Sequence, residues 1–204
     1  HLSSLNLPQS TRCLILNDNF GALAASLATH MRVQSSGDSF LAHQALRNNL
    51  AHNQIDAQAV TVLQSDLALS GPYDCVLIRV PKILALLEEQ LIRLQSQIHA
   101  NTVIVAAGMV KHLPRSAGDL LERYIGPVQA SLAEKKARLL FVTPTEKPSS
   151  HSPYPSTYQL DQPKLSLRNH AGVFCRENLD IGTRFFLPYL PKNLGQEQVA
   201  DLGR

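Results

Sequence analysis

Short apolar runs alternate with longer amphipathic stretches along the first two thirds of the chain. Cys13-Leu14-Ile15-Leu16, Val60 to Leu63, Cys75 to Val80 and Thr102 to Ala107 are such runs, and the more polar Val33 to Ser36, ending at Gly37-Asp38, reads as a short strand among them. The run Cys13 to Leu16 suits a strand covered on both faces, and Cys75 to Val80 is clearly β-branched. Between them, Ala22 to His30, Phe40 to His52, Ile83 to Ile98 and Arg115 to Ile125 place apolar residues at helical spacing. The strongest is Ile83 to Ile98, apolar at Ile83, Leu84, Leu87, Leu91, Leu94 and Ile98. Ser39 is placed to cap the second helix, and Pro81 suits a first helical position before the third.

This alternation predicts an α/β domain with a doubly wound, mostly parallel sheet. Two further strands, Val128 to Ala133 and Ala137 to Val142, flank the charged Glu134-Lys135-Lys136. A connection that short permits only an antiparallel pair, so an antiparallel strand is expected near the end of the sheet. Thr143 to Pro155 then changes character, with Pro144, Pro148, Pro153 and Pro155 among Ser, Thr and His. The boundary is set there: residues 1–150 form one domain, and 151–204 a linker, a hairpin and an entry segment. The hairpin pairs Ser156 to Leu160 with Leu165 to Arg168, and Asn169 to Phe186 leads into a short helix. Gln198 to Gly203 reads as a strand entering an acidic-x-Gly turn, as if a second domain of the same kind began there.

Composition narrows the class. The 204 residues carry 19 Lys and Arg against 16 Asp and Glu, a net charge of +3, which is compatible with nucleic acid without establishing it. No apolar run approaches a membrane span, so no membrane partner is expected. Cys13, Cys75 and Cys175 are far apart with no pair spacing, the pattern of core thiols in a reducing cytoplasm; no metal site is expected.

The candidate chemistry begins at Arg12 to Ala24, a strand, a sharp turn and a helix start. Nucleotide cofactors sit at such a unit, because helix amides and close backbone approach serve anionic groups. A turn of this kind built for a cofactor reads acidic-x-Gly-x-Gly-x-Gly. Here Asp18 is the acid, and Phe20, Ala22 and Ala24 stand at the glycine positions. Three side chains are thus expected where a ligand needs open backbone, and the turn reads either as a degenerate cofactor site or as an ordinary strand-helix turn. Asp38 follows at the distance where an acid holds ribose hydroxyls; as an acid beside the Ser39 cap it has a simpler explanation.

Leu16-Asn17-Asp18-Asn19-Phe20-Gly21-Ala22-Leu23, Gly37-Asp38-Ser39, Val80-Pro81-Lys82, Lys135-Lys136-Ala137-Arg138-Leu139, Gly172 to Arg176 and Leu179 to Phe186 together resemble the ribosomal RNA guanine-N2 methyltransferases. The RlmG-like enzymes of the large subunit are the nearer branch and the RsmC-like enzymes of the small subunit the more distant. The resemblance implies the Rossmann-like methyltransferase type of fold and two tandem domains. The C-terminal one binds S-adenosylmethionine and methylates guanine; the N-terminal one is a degenerate copy associated with RNA. Amino-methylating relatives carry Asn-Pro-Pro-aromatic where this chain has Val80-Pro81-Lys82, and a valine cannot accept a hydrogen bond from the target amine.

The expected protein is therefore the RNA-recognition domain of an S-adenosylmethionine-dependent large-subunit rRNA methyltransferase. Its partners would be that rRNA, protein-free or partly assembled, and its own C-terminal catalytic domain. The chain by itself is expected to be inactive for want of the catalytic domain, and to hold no cofactor. Lys82, Lys111, Arg115, Lys135, Lys136 and Arg138, with His112, are the RNA-contact candidates, against the alternative of ordinary surface charge. Phe174, Arg176, Asp180 and Gly182, with Thr183, belong to the entry segment of the catalytic domain. Rival readings are a working methyltransferase domain with an unusual turn, a small-subunit enzyme, and a structural or dimerising domain that uses the helix Ile83 to Ile98 as its contact face.

Overall fold

The computed structural model describes residues 8–65, 67–162 and 164–191. The closing strand-and-turn expected over Gln198 to Gly203 lies outside them. The chain divides into two compact units, His1–Tyr154 and Pro155–Arg204.

The first unit runs β1 (Arg12–Leu16), α1 (Ala22–Leu27), β2 (Arg32–Gly37), α2 (Phe40–His52), β3 (Val60–Gln64), β4 (Tyr73–Arg79), α3 (Leu84–Leu94), β5 (Ile98–Met109), α4 (Arg115–Tyr124), β6 (Val128–Ala130) and β7 (Ala137–Val142). Its seven-stranded sheet has the order β3-β2-β1-β4-β5-β7-β6. Neighbours from β3 to β5 are parallel, and β7 runs antiparallel to both β5 and β6. The antiparallel strand read from the short Glu134-Lys135-Lys136 connection is therefore present.

Alternation along the central strands divides the core in two. Leu14, Leu16, Val76 and Ile78 face Leu87, Leu91, Leu94 and Leu121 of α3 and α4. Cys13, Ile15, Cys75 and Leu77 face Ala24, Leu46 and Leu50 of α1 and α2. Both faces of β1 and β4 are covered, which is why their sequence is continuously apolar.

Several boundaries differ from the sequence pattern. The helix expected over Ile83 to Ile98 ends at Leu94, followed by a 3-10 turn Gln95–Gln97. Ile98 keeps the helical spacing but opens β5, where it pairs with Tyr73. Gln95 closes the helix by donating to the Tyr124 carbonyl at 3.0 Å and accepting from the Ser150 amide at 3.1 Å. α1 stops at Leu27 and β6 at Ala130, both shorter than the pattern suggested. The helix proposed as a dimerising face spends that face inside its own unit: Leu86, Leu87, Leu91, Ile92 and Leu94 are all buried.

The second unit holds β8 (Ser156–Leu160) and β9 (Leu165–Asn169), paired antiparallel as the sequence suggested, and α5 (Ile181–Phe186). Among the described residues no helix is long and apolar enough to cross a membrane.

Two measurements test this core. Leu91 is fully buried, so Leu91→Ala should cost about 2–5 kcal/mol in urea denaturation. His43 on α2 is buried, and its Nε2 has no hydrogen-bond partner. Burial, and then the nearby Arg47, push its pKa below the ordinary 6.5, with Asp38 opposing. The fold favours the neutral ring, so His43 contributes stability above its ordinary pKa of 6.5 that is lost as pH falls through the depressed value. Melting temperature followed from neutral to acid pH should fall less steeply in His43→Leu than in the parent.

Candidate nucleic-acid interface at the carboxyl edge of the sheet

The parallel strands β1 to β5 all end at one edge, where ligands of open α/β sheets gather. The turn after β1 is held at every point. Asn17 and Asn19 have φ of 63° and 58°, values asparagine tolerates better than most residues. The Asn17 amide donates to the Arg79 carbonyl at 3.1 Å and exchanges bonds of 3.0 and 2.9 Å with Gln90 of α3. The Asp18 carboxylate accepts from the amides of Leu23 at 3.2 Å and Ala24 at 2.8 Å. It thereby caps a helix whose own cap residue, Gly21, has no side chain. Burial raises the Asp18 pKa, and those two amides and the charge of Arg79 oppose the rise.

Gly21 is buried with φ of 83°, and a Cβ on it would stand 2.3 Å from Leu46 Cδ1. The glycine serves packing of the turn on α2. Of the three side chains at the expected glycine positions, Phe20 is 62% exposed, Ala22 is exposed, and Ala24 lies in the core. They do not crowd one common space, as the sequence suggested they would. Asp38 is exposed and precedes Ser39, which caps α2 through a 3.2 Å bond from the Ala42 amide.

The basic candidates all lie at this edge, and all are exposed. Lys82 stands between β4 and α3, and the Val80 amide donates to the Ala107 carbonyl at 2.9 Å, tying that loop to β5. Lys111 and His112 occupy a 3-10 turn after β5, and Arg115 opens α4 with Asp119 at 3.9 Å. The Val110 amide donates to the Lys136 carbonyl at 2.8 Å, and Arg138 pairs with Gly108. Lys111 and the Lys135 to Arg138 hairpin are thus brought side by side from distant parts of the chain.

The hairpin turn itself is unusual. Glu134 and Ala137 exchange backbone bonds of 2.9 and 2.8 Å, and Lys135 and Lys136 between them have φ of 48° and 63°. Two positive φ values define the tight hairpin turn that favours Asn-Gly. Here both positions are lysine, so backbone strain is accepted where charge is presented. The sequence reading missed Arg79. It lay inside an apolar strand pattern, yet it is exposed at the end of β4 and close enough to Asp18 to oppose its raised pKa.

In the second unit Phe174 is 76% exposed. The Arg176 guanidinium pairs with Glu177 at 2.9 Å, and its backbone carbonyl accepts from Asn169 at 3.1 Å. Asp180 caps α5 by accepting from the Thr183 amide at 3.1 Å, and Gly182 lies exposed in its first turn.

Family models match both parts of the chain: the RLMG N-terminal domain over residues 1–146 and the methyltransferase small domain over residues 164–204. The second match overturns the expectation of a chain inactive for want of the catalytic domain, since the chain carries residues of a methyltransferase domain. The chain is 64% identical over 202 residues to a ribosomal RNA large subunit methyltransferase G of Stutzerimonas stutzeri, covering 99% of this chain and 54% of that relative. It thus spans about half the length of the relative it matches. Among solved structures, the T. thermophilus 16S rRNA N2 G1207 methyltransferase (RsmC), in complex with AdoMet and guanosine, aligns with a TM-score of 0.68 at 18% identity, over 92% of this chain and 50% of that one. An rRNA methylase from Streptococcus thermophilus aligns with a TM-score of 0.58 at 10% identity, over 72% of this chain and 96% of that one. These likenesses agree with the strand order in giving the Rossmann-like methyltransferase fold. With its model matched over residues 1–146, the chain belongs to the RLMG N-terminal domain family.

Proposed function

We propose that this chain is part of an S-adenosylmethionine-dependent methyltransferase acting on guanine N2 of large-subunit ribosomal RNA, and that its sheet-bearing domain docks the RNA. Residues 1–150 are the methyltransferase-like docking domain, and residues 151–204 lead through the hairpin into the methyltransferase small domain. The observation that carries the docking role is the basic rim at the carboxyl edge, joined by the bond from Val110 to the Lys136 carbonyl. Lys82, Lys111, Arg115, Lys135, Lys136 and Arg138 contact phosphates, which sets register and orientation without reading sequence.

S-adenosylmethionine supplies the methyl group and is held by the methyltransferase small domain. The residues of the opening turn do not fit it. Both Asp18 oxygens are taken by helix amides, and the space beside Gly21 is filled by Leu46. The Val80 side chain, where amino-methylating relatives carry asparagine, offers no acceptor for a target amine.

Lys136→Glu with Arg138→Glu should weaken RNA binding and shrink the salt slope by about 1.5, the amount expected for two lost phosphate contacts. An unchanged slope would remove RNA from that hairpin. Asp18→Ala should lower unfolding free energy by about 1 kcal/mol, as loss of a helix cap does, while calorimetric titration with S-adenosylmethionine stays as in the parent. A selective loss of S-adenosylmethionine affinity would return the cofactor to the opening turn.

A further inference from the structure

The described part of the first unit contains six aromatic residues: Phe20, Phe40, Tyr73, Tyr124, Phe141 and Tyr154. Only Phe20 and Phe40 are exposed, at 62% and 70%, and both follow directly on strands that end at the carboxyl edge. Leu23 and Leu41 beside them are 40% and 74% exposed.

The local structure fixes the backbone that bears each ring. The Phe20 carbonyl accepts from the Asn49 amide group at 2.8 Å, Gly21 is seated on Leu46, and Asp18 fixes the start of α1. Phe40 is the first residue of α2, fixed by the Ser39 cap. Both rings are therefore presented by backbone already ordered, so little conformational freedom is lost when a partner covers them.

The neighbours say what kind of partner that is. Asn17 bonds to the Arg79 carbonyl, bringing the turn that bears Phe20 against the end of β4 and the loop of Lys82. Exposed acids described at this edge are Asp38, Glu134 and Asp119, the last paired with Arg115, fewer than the cations of the rim. Apolar protein interfaces are depleted in charge at their centre. Exposed aromatic rings at the same sheet edge as exposed cations are instead the arrangement that takes single-stranded nucleic acid, with bases stacked on rings and phosphates on cations.

We propose that Phe20 and Phe40 are stacking platforms for unpaired RNA bases, and that the docking domain selects single-stranded or looped RNA over duplex. This rests on the docking reading above and adds to it the form of RNA taken.

The test uses this chain with a single-stranded RNA oligonucleotide carrying 2-aminopurine, and with the same strand in a duplex. The parent should bind the single strand more tightly and quench the probe. Phe20→Leu with Phe40→Leu keeps both positions apolar. It should weaken single-strand binding about tenfold and abolish the quench, while duplex affinity and the salt slope stay as in the parent. Equal affinity for both RNA forms, with no effect of the double variant, would overturn the platforms and leave the docking role standing. Absence of any salt-dependent RNA binding by the parent would overturn both. Self-association of the parent that the double variant abolishes, without change in RNA binding, would assign these rings to a second copy of the chain and overturn the proposal.

Discussion

A parallel strand buried on both faces is the constraint from which the rest of this molecule follows. β1 and β4 carry apolar side chains up and down, so each must be covered twice. Helices α1 and α2 cover one face, and α3 and α4 the other. A parallel order also forces each connection to return across a face before the next strand begins. All the strand-to-helix turns are thereby delivered to one edge, and the exposed Lys82, Lys111 and Arg115 that follow β4 and β5 are gathered there by topology.

That constraint explains what the sequence could and could not reveal. The central strands were legible because burial on both sides leaves a continuous apolar run, as in Cys75 to Ile78. Ile98 misled because its spacing from Leu94 satisfies a helix while its neighbour in space is Tyr73, and pairing of that kind leaves no local trace. Arg79 was concealed for the opposite reason: a charged residue at a strand's exposed end is invisible inside an apolar pattern. The exposure of Phe20 and Phe40 depends on whether neighbouring elements reach over them, and spacing carries no information about that.

The opening turn shows how the polar groups of a strand-turn-helix unit can serve the fold itself. The turn holds one acid, Asp18, and one glycine, Gly21. The acid answers the helix amides, and the glycine admits Leu46. Asn17 and Gln90, exchanging amide bonds, fasten the turn to α3 on the other face. The Asn17 amide and the Asp18 carboxylate thus find their partners within the protein, the general condition for burying polar groups.

The antiparallel placement of β7 has a further consequence. A parallel strand in that position would have contributed only its end to the loop-bearing edge, but β7 starts there, and the β6–β7 hairpin turn comes with it. A hairpin tip at this edge can grow or shrink without disturbing a helix or the central register. The reach of Lys135 and Lys136 is therefore an independently adjustable dimension of the molecule, one that variation could lengthen while the sheet beneath stays as it is.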